Sequence, residues 1–251
     1  SRSTAPGADR FADQVMGKSR FLRFLLALPV LALAAACSDE STPPAQAETR
    51  QPGSVSHDVP LGSGFDFYVL ALSWSPAYCL VEGDRANQQQ CSEDRDLGFV
   101  VHGLWPQHET GYPEFCPSRQ PDRVPSQLGR NYLDIVPSMG LIGHQWRKHG
   151  SCSGLSQADY LKVLRAARER VKVPDAFALN RLPAELDAFE AENAFIASNP
   201  GMKRDGIAIQ CERGLLREVR ICMTPSLDLR SCREIDRRGC KIRDLDVPEP
   251  G

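Results

Sequence analysis

Eight of this chain's nine cysteines fall between Cys79 and Cys240, and no other feature narrows the accessible folds as much. No two of them stand in a Cys-x-x-Cys spacing, so the set does not read as a metal centre. An even number of cysteines in an exported chain predicts about four disulfides instead. Eight cysteines allow on the order of a hundred pairings, and the sequence by itself leaves the choice among them open.

Export is read from the N-terminal part. Lys18, Arg20 and Arg23 precede an apolar run from Phe24 to Ala36 that ends in three alanines before Cys37, the layout of a signal peptide. The run falls short of the ~20 residues that span a bilayer. Residues 1–15 are polar and precede Met16. Residues 1–36 therefore read as an upstream extension and signal peptide. Two processing routes fit: lipid modification of Cys37, or a soluble secreted protein cut after Ala36 or after Ala47. Residues 37–64, rich in Pro, Ser, Thr, Gln and Ala, read as a flexible linker or lipoprotein tether. The expected location is the periplasm or the cell exterior, with a membrane anchor if Cys37 carries lipid.

Without residues 1–36 the chain loses five basic and two acidic side chains, which leaves 25 basic against 30 acidic and a net charge of −5. Strong sequence-independent binding to nucleic acid rests on many Lys and Arg contacts to phosphate. That balance excludes a dedicated basic nucleic-acid binder, but an enzyme that turns its substrate over needs no such footprint. The length and a 41 % hydrophobic content suit one domain with a substantial core.

Residues 65–73 alternate with apolar side chains on both faces, which predicts a central strand. Gly98 to Leu104 reads as a second strand that would hold His102 on a rigid sheet. Residues 207–211 and 215–223 read as an antiparallel hairpin. Ser156 with Asp159 three residues on reads as the N-cap of a helix running to about Val171. Weaker helical patterns cover 126–136, 174–179 and 183–197, with proline breaks between them. The expected fold class is α+β, a single domain with a central antiparallel sheet flanked by helices.

Three of the five histidines sit in two short segments, HGLWP at 102–106 and HQWRKHG at 144–150. Cutting RNA by its own 2′-hydroxyl needs a base for that hydroxyl, an acid for the departing 5′-oxygen and cations against the growing phosphate charge. Two histidines and a lysine suffice. If the second segment is helical, His144, Lys148, Gln145 and His149 share one side of it and Trp146 points away into the core.

HGLWP followed about forty residues later by Trp-x-Lys-His-Gly resembles the paired motifs of the ribonuclease T2 family. The stretches FYVLALSWSPAYC (67–79) and NPGMKRDGIAIQC (199–211) look like those of its bacterial members, and the resemblance spans residues 65–240. It implies a catalytic domain over residues 65–251, monomeric and without cofactor or metal, that cleaves single-stranded RNA with low base specificity. By the resemblance His149 takes the 2′-hydroxyl proton and His102 protonates the 5′-oxygen, giving a 2′,3′-cyclic phosphate that water opens to a 3′-phosphate. Lys148 and His144 hold the phosphate, Lys148 also acting in catalysis, while Trp105 and Tyr112 stack on bases. The pairings implied are Cys79–Cys91, Cys116–Cys152, Cys211–Cys240 and Cys222–Cys232. Gln145 belongs to the catalytic set but stands where the family usually has Glu. A glutamine can hydrogen-bond a phosphate oxygen or an imidazole, yet it supplies no negative charge. Activity with an altered pH profile is therefore expected. Some members carry an acidic base-reading residue where Gln107 stands, so base preference does not carry over.

Two rival readings remain in view. A metallohydrolase would place ligands four apart on one helix face, whereas His144 and His149 are five apart. A noncatalytic RNA-binding or envelope interaction protein on the same fold has only Gln145 in its favour, since His102, Lys148 and His149 are all kept.

Overall fold

The computed structural model describes residues 59–250 apart from 93, 179, 180, 182 and 184. The expected signal peptide, Cys37, His57 and most of the 37–64 linker lie outside the described residues. The elements in chain order are β1 (Phe67–Trp74), α1 (Ser75–Glu82), α2 (Gln88–Cys91), β2 (Phe99–Gln107), α3 (Ser126–Arg130), α4 (Met139–Lys148), α5 (Gln157–Glu169), β3 (Glu185–Leu186), α6 (Ala188–Ser198), β4 (Ile207–Glu212), β5 (Leu215–Met223), α7 (Arg233–Arg237) and β6 (Leu245–Asp246).

Every residue of β1 is buried, as a strand with apolar side chains on both faces must be. It lies between β2 and β5 in the order β2-β1-β5-β6-β3, with β4 also pairing β5. The β2-β1-β5-β4 part is antiparallel. β6 departs from the all-antiparallel expectation: the C-terminal segment runs alongside the start of β5 and joins it in parallel through one Leu215–Asp246 pairing. β4 and β5 are closed by Arg213 (φ 53°) and Gly214 (φ 82°). Two successive positive φ values give the turn whose twist matches a two-residue hairpin.

The helix expected from Ser156 forms, with the Ser156 hydroxyl accepting from the Asp159 amide. Three weaker expectations are corrected. The 126–136 pattern gives only the short α3 before the chain turns toward α4. The 174–179 pattern gives a single 3-10 turn, Asp175–Phe177, too short after Pro174 to propagate. In the 183–197 pattern the helix starts only at Ala188, because Asp187 and Glu190 form a capping box there.

The sheet separates two environments. Tyr68, Leu70, Leu72 and Trp74 face the main core with Leu104, Val219 and Ile221, covered by Leu161 and Leu164 of α5 and Phe195 of α6. The opposite face has only a small apolar cluster of Phe67, Val69, Ala208, Cys222, Cys232 and Ile235, with Trp105 against it. Four disulfides staple the domain. Cys79–Cys91 joins α1 to α2, and Cys116–Cys152 joins the loop after β2 to the turn after α4. Cys211–Cys240 joins β4 to the segment after α7, and Cys222–Cys232 joins β5 to the start of α7.

Candidate active site

His102 and Trp105 are three residues apart, so a regular strand would put them on opposite faces. The β1–β2 ladder slips at this point: Leu72 pairs with Val101 and Ala71 with Gly103, which leaves His102 as the extra residue of a bulge. A bulge re-aims side chains. Here it brings His102 and Trp105 onto the same face with ring centroids 5.4 Å apart, edge to face. The glycine between them is a matter of space. A Cβ on Gly103 would fall on Gln145 Oε1 and Trp105 Nε1, and those two atoms share the 2.8 Å hydrogen bond that ties β2 to α4.

The second segment enters on α4. The Ser138 hydroxyl accepts from the Leu141 amide and caps the helix start. Trp146 is buried, its indole N–H donating to the Pro121 carbonyl at 2.9 Å. The expected continuous helical arc stops one residue early. α4 ends at Lys148, and His149 has left the helix with φ −122° and ψ −48°. The reason is the 3-10 turn Gly150–Cys152 that follows, held by the Cys152 amide on the His149 carbonyl and by the disulfide to Cys116. The Phe115 amide donates to the Lys148 carbonyl at 2.8 Å, which adds a second tie between that loop and the helix end.

These pieces meet around a cavity of about 340 Å³ lined by His102, Trp105, Tyr112, His144, Lys148 and His149, among others. Trp105 sits between the two candidate proton carriers: its ring stacks on His149 at 5.2 Å and 30° and meets the edge of His102. His149 is buried, and among the described residues its Nδ1 has no hydrogen-bond partner. Burial, reinforced by the charges of Lys148, His102 and His144, pushes the imidazole down to about 3. His144 is exposed at the cavity rim, and it too lies below its ordinary value, through desolvation and then the neighbouring Lys148 and Arg147. Lys148 places its ammonium 3.6 Å from Glu114.

Gln145 is only 3 % exposed and its carbonyl oxygen is taken by Trp105, so its first duty is to hold that indole. Trp105 is likewise no free platform. Besides the two imidazoles, the guanidinium of Arg220 lies 5.2 Å from its ring centroid. Tyr112, 51 % exposed on the cavity wall, is the open aromatic surface. Gln107 lines the cavity with its amide donating to the Pro106 carbonyl. His108 is turned to Asp66, 3.6 Å away.

Glu218, Arg220 and Arg238 escaped the sequence reading. Glu218 is buried on β5 and accepts from His102 Nδ1 at 2.5 Å, while the Arg220 side chain donates to its other oxygen at 2.8 Å. Burial works against a charge there, but the hydrogen bond and charge of His102 and the guanidinium of Arg220 outweigh it, holding the carboxyl below its usual range. The alternation of 215–223 could have placed Glu218 and Arg220 on the face of Cys222. Only the strand order brings that face beside His102.

The sequence model of the ribonuclease T2 family matches residues 65–232. A ribonuclease of Aeromonas hydrophila is 37 % identical over 166 residues, covering 63 % of this chain and 72 % of that protein. A probable ribonuclease of Haemophilus influenzae is 38 % identical over 122 residues, 44 % of each chain. Among solved structures, an RNase-related protein from Calystegia sepium superposes with a TM-score of 0.60 at 20 % identity, covering 75 % of this chain and all of that one. RNase NT in complex with 5′-AMP superposes at 0.55 with 17 % identity, over 74 % of this chain and all of that one. These likenesses show that the fold is shared.

Proposed function

The chain belongs to the ribonuclease T2 family, and from that premise we propose that its cavity cleaves single-stranded RNA by metal-independent transphosphorylation to 2′,3′-cyclic phosphate, followed by hydrolysis to 3′-phosphate. The observation that carries this reading is the convergence of His102, His144, Lys148 and His149 on one cavity from β2 and from α4 with the residue after it, segments that the sequence separates by about forty residues.

His149, held neutral by burial, accepts the 2′-hydroxyl proton. His102 protonates the departing 5′-oxygen, and the two exchange roles when water opens the cyclic ester. A positioned acid or base contributes typically ~10²–10⁴-fold. Trp105 packs against both imidazoles and fixes their spacing, which matters because a misplacement of about 1 Å can cost on the order of 10² in rate. Lys148 and His144 hold the phosphate and oppose the charge that develops on it. Tyr112 offers an exposed ring on which any base can stack, a contact worth ~1–3 kcal/mol that does not discriminate among bases. Low base specificity follows.

Four disulfides support placing this activity outside the cytoplasm, in the periplasm or beyond. The test is product analysis of single-stranded RNA incubated in EDTA with the oxidised protein, alongside a His149→Ala variant. The expected outcome is 2′,3′-cyclic phosphate ends from the wild type and their loss in the variant by at least ~10² in rate. Intact RNA across a range of pH from a folded wild type would leave a noncatalytic RNA-binding relative as the better reading.

A further inference from the structure

Three strands set up a contact that no motif encodes. β2 and β5 are not neighbours. β1 lies between them, and its residues facing the cavity side are small where it matters: Ala71 pairs with Gly103 and Arg220, and Ser73 pairs with Val100 and Glu218. Adjacent strands are ~4.8 Å apart, so side chains two strands apart meet only if the middle strand leaves room. The bulge aims His102 over that low ground, and Glu218 reaches it from the far side. The contact closes a ring of four. His102 meets the edge of Trp105, Trp105 lies under Arg220, Arg220 donates to Glu218, and Glu218 accepts from His102.

We propose that Glu218 is a positioning residue for the reaction: its carboxylate holds the Nδ1 proton of His102, so that Nε2 is the nitrogen that hands a proton to the departing 5′-oxygen. The proposal rests on the ribonuclease reading given above. In the transphosphorylation step the bond between the 2′-oxygen and phosphorus forms and the bond from phosphorus to the 5′-oxygen breaks. The Nε2 proton leaves with the 5′-oxygen, and His102 remains neutral with Nδ1–H still on Glu218. When water opens the cyclic phosphate, its proton returns to Nε2. A hydrogen bond at one imidazole nitrogen decides which nitrogen carries the working proton.

The charged and titratable groups facing His102 are Glu218 and Arg220 from β5, His144, Lys148 and His149 from α4 and its end, and Tyr112 and Arg238 on the cavity wall, with Arg217 of β5 and Tyr78 of α1 across the adjoining hollow. Only Glu218 among them is an anion bonded to the ring. The chain thus carries on β5 a negative charge that Gln145 does not provide on α4. Glu218 is buried behind His102 and does not line the cavity, so it acts through the histidine.

The test compares two substrates with Glu218→Gln: a dinucleoside monophosphate, whose alkoxide leaving group needs a proton, and the matching nucleoside 3′-(4-nitrophenyl phosphate), whose leaving group does not. The expected kcat/KM loss is about 10²-fold on the first and only a few-fold on the second, with part of the loss recovered in Glu218→Asp. A merely structural carboxylate would lower both substrates equally, and equal losses would overturn the proposal. Nitrogen-15 spectra of the wild type provide a reading that does not depend on how the variant folds. They should place the proton of neutral His102 on Nδ1, and its placement on Nε2 would refute the pairing. A wild type that shows the Nδ1 proton yet cleaves neither substrate would remove the ribonuclease reading instead, and the proton-transfer role with it.

Discussion

Position 145 concentrates what single residues decide here. Gln145 lies four residues before His149, accepts the Trp105 indole N–H, and brings no charge to a buried imidazole pushed down to about 3. In Gln145→Glu the carboxylate can still accept from Trp105, but a negative charge beside His149 favours the imidazolium. Because the base must be neutral to act, the acid limb of kcat/KM for dinucleotide cleavage is expected to move to higher pH by roughly one unit or more. Superimposable wild-type and variant profiles would show that charge at this position is irrelevant. HGLWP is legible at the same scale. His102 is the bulged residue, Gly103 leaves space for the Gln145–Trp105 hydrogen bond, and Trp105 packs against both histidines.

At the scale of elements, β1 acts as a spacer. Its core-facing residues Tyr68, Leu70, Leu72 and Trp74 are bulky and fully buried, while Ala71 on the other face is the gap across which β2 and β5 communicate. Ala71→Leu would put a branched side chain between Gly103 and Arg220, beside the His102–Glu218 contact. The fold should survive at a cost of ~1–3 kcal/mol for overpacking, whereas activity should fall by on the order of 10² through displacement of His102. Thermal melts paired with initial rates separate the two effects, and wild-type activity in a folded Ala71→Leu protein would show that the gap is not needed. α4 makes a comparable point. Its end and the loop holding Tyr112 and Phe115 are joined by Cys116–Cys152 and by the Phe115–Lys148 backbone bond, so the phosphate-facing helix end and the base-facing loop are set by one fixture.

For the whole molecule, the buried site makes stability depend on acidity in a definite direction. The folded protein keeps His149 neutral down to about 3, whereas an unfolded imidazole takes its proton near ~6.5. Between those values the unfolded state binds the extra proton, so this contribution is complete above about pH 6.5 and is lost as pH falls toward about 3. Glu218, held below its ordinary range, acts in the same sense: its contribution is present above about 4.3 and fades on further acidification. Tm is expected to drop steadily between pH 6.5 and 4, and His149→Phe should flatten that slope, with parallel curves counting against it. Much of this molecule was legible from residue order alone. The period-two patterns of β1, β4 and β5, the cap at Ser156, the even cysteine count and the two histidine segments are local signals, and local signals survive in a linear chain. Hydrophobic alternation could not reveal the bulge at His102, because a one-residue slip in pairing leaves no trace in composition. Nor could it reveal the service of Gln145 to Trp105, the departure of His149 from the helix or the reach of Glu218 across β1 to His102. The first and last depend on which strand lies beside which and how far apart their backbones run, and the other two on how α4 and its disulfide-held end pack against β2, so only the tertiary structure decides them.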